Sequence, residues 1–220
     1  MDRRFILTAG VAAVAAGGAY LTTRPSQSTG PGLGAVNAQE AADIDTSAIV
    51  DMTVGSPDAP VTMIEYASLT CPHCANFHEN VYPSLKRDYI DTGKVQFIFR
   101  EVYFDRFGLW GAMIARCGGE LRYFGLIDVM FQEQRDWLAG GDPTGVVQNL
   151  RAIGRRAGIT DDELTACLED TDTAQAMIAR YQETATADDI NSTPSFVING
   201  TKYGNMSYGD LKGVLDGELG

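Results

Sequence analysis

Apolar and polar residues change their spacing several times along this chain, and each change marks an element. Val61-Thr62-Met63-Ile64 begins an apolar run that continues through Glu65, Tyr66 and Ala67 and reads as a buried strand, delivered by the turn residues Gly55 to Pro60. The period then becomes helical. Phe77, Val81, Leu85 and Tyr89 recur every fourth residue, which predicts a helix over Pro72–Ile90, bent at Pro83 because a proline there removes one backbone bond and crowds the preceding turn. Val95 to Arg100, after Thr92-Gly93, reads as a second strand, and a strand-helix-strand unit of this length favours parallel pairing. Asp51 to Val54 is a candidate edge strand.

From Asp105 to about Asp188 the period stays helical. Glycines and caps divide it into Phe107–Arg116, Leu121–Trp137, Asp142–Ala157, Thr160–Glu169 and Thr173–Thr186; Thr160-x-x-Glu163 has capping-box spacing, and Asp142-Pro143 places an N-cap before a first-turn proline. The aromatics Trp110, Tyr123, Phe124, Phe131 and Trp137 are expected to fill the core of these helices, with a share lining an apolar groove. Asn199-Gly200 is a hairpin signal between Ser195–Ile198 and Thr201–Tyr203, and Ser207 caps a last helix carrying Leu211, Val214 and Leu215. These elements describe an α/β chain interrupted by an all-helical segment, with boundaries at 39–106, 107–187 and 188–220.

The chemistry gathers where the first strand meets its helix, in Cys71-Pro72-His73-Cys74. A sulfur at a helix N-terminus faces unpaired N–H groups and the positive end of the helix dipole, so its thiolate is stabilised and its pKa falls. Pro72 suits the first turn, where its missing N–H had no intrahelical partner. Cys74 follows three residues later on the same face, so the two thiols are able to cycle between dithiol and disulfide, and a protonated His73 beside Cys71 would depress that pKa further. The competing reading is a zinc site, because Cys71, Cys74 and His78 have C-x2-C-x3-H spacing and His73 and His78 are the two histidines of the chain. A closed structural site needs four ligands, and Cys117 and Cys167 are distant in sequence.

Together these residues resemble the thioredoxin-fold thiol-disulfide oxidoreductases, and among them the DsbA family, over roughly Asp51 to the end. Beyond the Cys-Pro-His-Cys tetrad, Glu65, six residues before Cys71, resembles the buried acid that this family uses to move protons, and Thr193-Pro194, before Phe196-Val197-Ile198, resembles its cis-proline loop. The resemblance implies that a client thiolate attacks the disulfide at Cys71, that Cys74 resolves the mixed disulfide, that Thr193 and Pro194 hold substrate backbone, and that a membrane quinone-linked partner reoxidises the protein. In place of the lysine that the family often carries near the acid on the second strand, this chain has Arg100 and Glu101.

Composition and charge limit the alternatives. Hydrophobic residues make up 45% of the chain and charged ones 21%, an ordinary soluble balance, and a net charge of −12 argues against nucleic acid or an anionic membrane surface as partner. No nucleotide fingerprint or phosphate loop is found, so no organic cofactor is expected; no metal is expected either, for want of a complete ligand set, and the chain is expected to act as a monomer. Residues 1–38 read as an export signal and linker: Arg3-Arg4 precedes an Ala/Gly-rich apolar stretch, Val36-Asn37-Ala38 suits a signal peptidase, and Phe5 to Thr23 would alternatively serve as an uncleaved anchor. Either outcome places the catalytic part in the periplasm, where disulfides persist.

Four cysteines in an exported chain favour a second bridge, Cys117 with Cys167, against the alternative of two buried free thiols. The expected activity is donation of disulfides to folding exported proteins. Its rivals are an isomerase or reductase on the same fold and, from another class, a metal-binding or chaperone module without catalysis.

Overall fold

The computed structural model of the chain describes residues 44–220, so the export signal and anchor readings for residues 1–38 lie outside the described residues. Five strands form one sheet in the order β1-β3-β2-β4-β5, with β1 Met52–Val54, β2 Val61–Ala67, β3 Val95–Glu101, β4 Ser195–Ile198 and β5 Thr201–Tyr203. β2 and β3 run parallel, as a helical crossover dictates, and the other neighbours run antiparallel. The register sets Glu65 beside Phe99 of β3 on one side and Phe196 of β4 on the other.

Alternation along β2 sends Met63 and Glu65 to the main core, with Phe97, Phe99 and Phe196, and sends Tyr66 to the opposite face, where it packs with Val102, Ala185 and Val197. Arg100 of β3 lies opposite Tyr66 in the pairing and joins it there, donating to the Tyr66 hydroxyl at 2.6 Å and to both oxygens of Asp51. The pleat therefore keeps Arg100 away from Glu65. Glu101 is engaged too, by a bidentate bond from Arg116 and by the Tyr123 hydroxyl at 2.7 Å.

The helix expected over Pro72–Ile90 is not continuous. It divides into α1 (Pro72–Asn80), α2 (Tyr82–Leu85) and a π-helical turn (Lys86–Ile90), with Val81 as the joint. Pro83 sits in the first turn of α2, where its missing N–H costs nothing, so the proline starts a new helix instead of bending an old one. Between β3 and β4 come α3 (Arg106–Cys117), α4 (Glu120–Gln132), α5 (Gln134–Trp137), α6 (Pro143–Arg156), α7 (Asp161–Glu169) and α8 (Thr171–Ala187); α9 (Tyr208–Leu219) closes the chain. Asp142 and Ser207 cap α6 and α9, and Thr160 and Glu163 form a reciprocal capping box on α7.

The segment expected as one helix over Leu121–Trp137 breaks at Glu133, and Gln134 turns inward. Tyr123, Phe131 and Trp137 are buried, whereas Trp110 and Phe124 are partly buried against the core. Cys117, at the end of α3, is bonded to Cys167 on α7. The closed loop spans a sequence separation of 50, so in the chain-entropy account the bond stabilises by about 4 kcal/mol as an upper figure. A Cys117→Ala/Cys167→Ala variant is expected to lose up to that amount of stability and unfold at lower urea, with a steeper denaturant dependence because its unfolded chain is no longer cross-linked, whereas an unchanged midpoint would show that the bridge adds nothing.

Candidate active site

The loop that carries Cys71 is tied down from three sides. Cys71 itself is the N-cap of α1, in extended backbone (φ −83°, ψ 119°) and with no side-chain cap bond, so its sulfur lies at the positive end of the helix dipole without closing a cap. From the inserted helices, the Gln134 side-chain amide donates to the carbonyls of Leu69 at 2.8 Å and Cys71 at 3.0 Å. From α3, Asp105 accepts a bond from Thr70 Oγ1 at 2.7 Å while capping its own helix through Phe107 and Gly108 N–H. Gly111 brings α3 close to the same loop: a Cβ there would lie 2.9 Å from Leu69 Cδ1. Gln134 was not singled out in the sequence, because helical periodicity continues through it and only a tertiary contact reveals its use.

The peptide Thr193-Pro194 is cis, and the Thr193 carbonyl accepts a bond from Cys71 Sγ at 3.6 Å. Thr193 Oγ1 is buried and has no partner in the dithiol form. Cys71 and Cys74 are both free thiols. Their environments drive them apart. The Cys74 thiol, as a donor toward the Cys71 sulfur, is the largest influence on Cys71, and with the backbone N–H groups of Cys74 and His73 it outweighs partial burial and lowers the Cys71 pKa to about 5. Cys74 is fully buried, and burial first, then the Cys71 bond and the charge of Glu65, push its pKa far up. His73 is exposed and reaches the sulfur through its backbone N–H, so the expected depression by a neighbouring imidazolium is replaced chiefly by the Cys74 hydrogen bond.

Glu65 lies directly in the main core. An unpaired carboxylate among phenyl rings would cost several kcal/mol, and the partner that removes this cost is His78, whose Nε2 lies 2.9 Å from Glu65 Oε2. Burial lowers the His78 pKa, but Glu65 and Asp128 together outweigh it and raise it to about 9, so His78 holds its proton at neutral pH beside Glu65. The His78 ring stacks on Phe131 with centroids 4.2 Å apart. This geometry takes His78 away from the thiols: the Cys71-Cys74-His78 zinc set is not assembled, and among the described residues no three His, Cys, Asp or Glu side chains are placed to hold a metal. The sequence carried one signal for His78, its position four residues after Cys74 on the same helical face.

A family model described as Thioredoxin matches residues 47–217. Among solved structures, alpha-DsbA1 of Wolbachia pipientis is 31% identical with a TM-score of 0.70, covering 76% of this chain and 89% of that one. The oxidised BdbD of Bacillus subtilis shares the fold, at 22% identity and a TM-score of 0.68 over 77% of this chain and 92% of its own. By sequence, the disulfide bond formation protein D of Bacillus subtilis is 25% identical over 76% of each chain. A Rickettsia bellii protein, provisionally named a protein-disulfide oxidoreductase, is 33% identical over 76% of this chain; the chain spans 63% of that relative's length.

The two thiol environments generate a test. Removing the donated bond with Cys74→Ala is expected to raise the Cys71 pKa by about 1 to 2, the worth of a hydrogen bond to a charged group, as read from ultraviolet thiolate absorbance against pH. Because the folded-state pKa of Cys71 is depressed, the stability it adds to the dithiol form is complete above the unfolded value, roughly 8.5, and is lost as pH falls through about 5. Chemical denaturation of the reduced protein and of Cys71→Ser across that window is expected to converge at the acid end and diverge toward neutrality; parallel curves would contradict the depressed pKa.

Proposed function

The chain belongs to the thioredoxin family and, within it, to the DsbA proteins, and on that premise we propose that it is an exported thiol-disulfide oxidoreductase that donates the Cys71–Cys74 disulfide to folding proteins. The observation that carries this reading is the asymmetry of the dithiol: both thiols are buried, but Cys71 keeps 7% of its surface exposed with its thiolate favoured, and Cys74 has none exposed and its thiol favoured. A stabilised thiolate makes the reduced form the more stable partner of the couple and the disulfide correspondingly oxidising.

In the forward reaction a client thiolate attacks Cys71 Sγ, the Cys71–Cys74 bond breaks, and Cys74 leaves with the electron pair and takes up a proton. The client's own second thiol then attacks the mixed disulfide, closing the client disulfide and releasing Cys71 as its favoured thiolate. Electron balance thus corrects one sequence expectation: Cys74 does not release an oxidised client. It resolves the mixed disulfide in the opposite sense, returning the client reduced, and it resolves the complex formed when Cys71 attacks the disulfide of a reoxidising partner. Thr193 and Pro194 form the wall against Cys71 on which an extended client segment would lie, with Thr193 Oγ1 free to donate to the thiolate. Location in the periplasm, action as a monomer and reoxidation by a membrane quinone-linked partner belong to the same proposal; among the described residues no helix is long and apolar enough to cross a membrane.

Oxidised protein mixed with a reduced, unfolded protein bearing paired cysteines is expected to restore that protein's disulfides and to become reduced itself. Cys71→Ser is expected to abolish this transfer and every mixed disulfide. Cys74→Ser is expected to keep nucleophilic Cys71 and, when challenged with an oxidised partner or small-molecule disulfide, to accumulate the unresolved mixed disulfide. Alkylation of Cys74 ahead of Cys71 in the reduced protein would reverse the assigned roles.

A further inference from the structure

Each time the Cys71–Cys74 disulfide opens, Cys74 must gain a proton, and each time it closes Cys74 must lose one, in a place from which water is excluded. Glu65 shares that interior, and its Oε1 is buried without a hydrogen-bond partner among the described residues. Past Glu65 the polar groups continue. His78 lies one turn beyond Cys74 on the same helix, with Nε2 on Glu65 Oε2 at 2.9 Å and Nδ1 facing Asp128 Oδ1 of α4 at 3.8 Å. The second separation is that of an ion pair and not of a hydrogen bond, and His78 Nδ1, like Glu65 Oε1, is buried without a hydrogen-bond partner among the described residues.

Exposure rises in step along this line, from 0% for the side chain of Glu65 to 2% for His78 and 36% for Asp128. The other groups against the His78 ring are Phe77, Phe99 and Phe131, which do not titrate, and Tyr82 of α2 at 4.8 Å, which burial and the charges of Asp128 and Glu65 keep protonated. An imidazole with a carboxylate at each nitrogen accepts a proton on one side and releases one on the other.

We propose that His78 and Asp128 are positioning residues of a proton relay that connects Cys74, through Glu65, to solvent at α4. The proposal rests on the dithiol reading above. When the disulfide closes, Glu65 takes the proton of Cys74 while His78 Nδ1 gives its own to Asp128 and on to water. The buried pair passes from carboxylate–imidazolium to acid–imidazole and is neutral overall in both forms, so no net charge is left in the core. When a client thiolate opens the disulfide, Cys74 takes its proton back from Glu65 and His78 recovers one from Asp128. The two halves of the redox cycle reset each other.

Oxidation of the reduced full-length protein by oxidised glutathione separates the steps. First, the Cys71 thiolate attacks one glutathione sulfur, breaks that S–S bond and expels one glutathione thiolate. Second, Cys74 gives up its proton, attacks Cys71 Sγ, and expels the other glutathione with the electron pair, so the dithiol is oxidised and the glutathione disulfide is reduced. Acid-quenched mass spectrometry counts protein carrying one glutathione. Wild type is expected to show little of it. In Asp128→Asn and His78→Gln the first step is expected to keep its rate while the second slows, by ~10-fold or more for His78→Gln given what positioned proton transfer contributes, and becomes proportional to hydroxide concentration. Asp128→Glu is expected to restore the second step. An unchanged second step in Asp128→Asn, whose half-exposed side chain the fold does not need, overturns the relay and sends the proton out through Cys71. Failure of the first step in wild type would overturn the dithiol reading instead.

Discussion

A carboxylate placed among phenyl rings is the constraint on which this site depends. Glu65 sits on the central strand between Phe99 and Phe196, where a lone charge would be costly. The sheet supplies no cation, because the pleat turns Arg100 to the other face and Glu101 is held by Arg116 and Tyr123. The cation comes from α1 instead, as His78. The helix whose N-terminus holds the reactive thiol thus also supplies the charge that lets the acid stay beneath it, and one rigid element sets both distances. Raised folded-state basicity at His78 adds stability that is complete below its ordinary pKa and is lost as pH rises through about 9, so the pair holds across the neutral range.

The two thiols illustrate how environment divides identical groups. Separated by two residues, they differ in burial and in the direction of the bond between them: Cys74 donates and Cys71 accepts. Whatever lowers one pKa by that bond raises the other, so the pair titrates as a unit with one stable thiolate. In the reduced protein Cys71 therefore carries the charge and Cys74 the proton, and both halves of that arrangement stabilise the dithiol relative to the disulfide.

The inserted helices do more than cover the sheet. Gln134 holds the carbonyls of Leu69 and Cys71, Asp105 holds Thr70 while capping α3, and Asp128 faces His78. Three separate helices, α3, α4 and α5, thus reach the segment around the dithiol. The bond between Cys117 and Cys167 ties α3, whose N-cap Asp105 holds Thr70, to α7.

Much of this was readable from residue order. Alternating and fourfold periods located the strands and most helices, Asn199-Gly200 the hairpin, and Thr160, Asp142 and Ser207 the caps, because those signals are local. The tetrad Cys71-Pro72-His73-Cys74 carried its chemistry in its spacing, and Thr193-Pro194 was visible through resemblance. What the sequence did not determine was which side chains meet across the chain. The break at Glu133 that frees Gln134, the choice of His78 over Arg100 as the partner of Glu65, and the dominance of the Cys74 bond over the His73 imidazole at Cys71 each turn on side-chain direction and burial. Those quantities are fixed only when β2, α1 and the inserted helices are packed together, since a contact such as that of Gln134 with Leu69, 65 residues away, leaves no periodic trace in either segment.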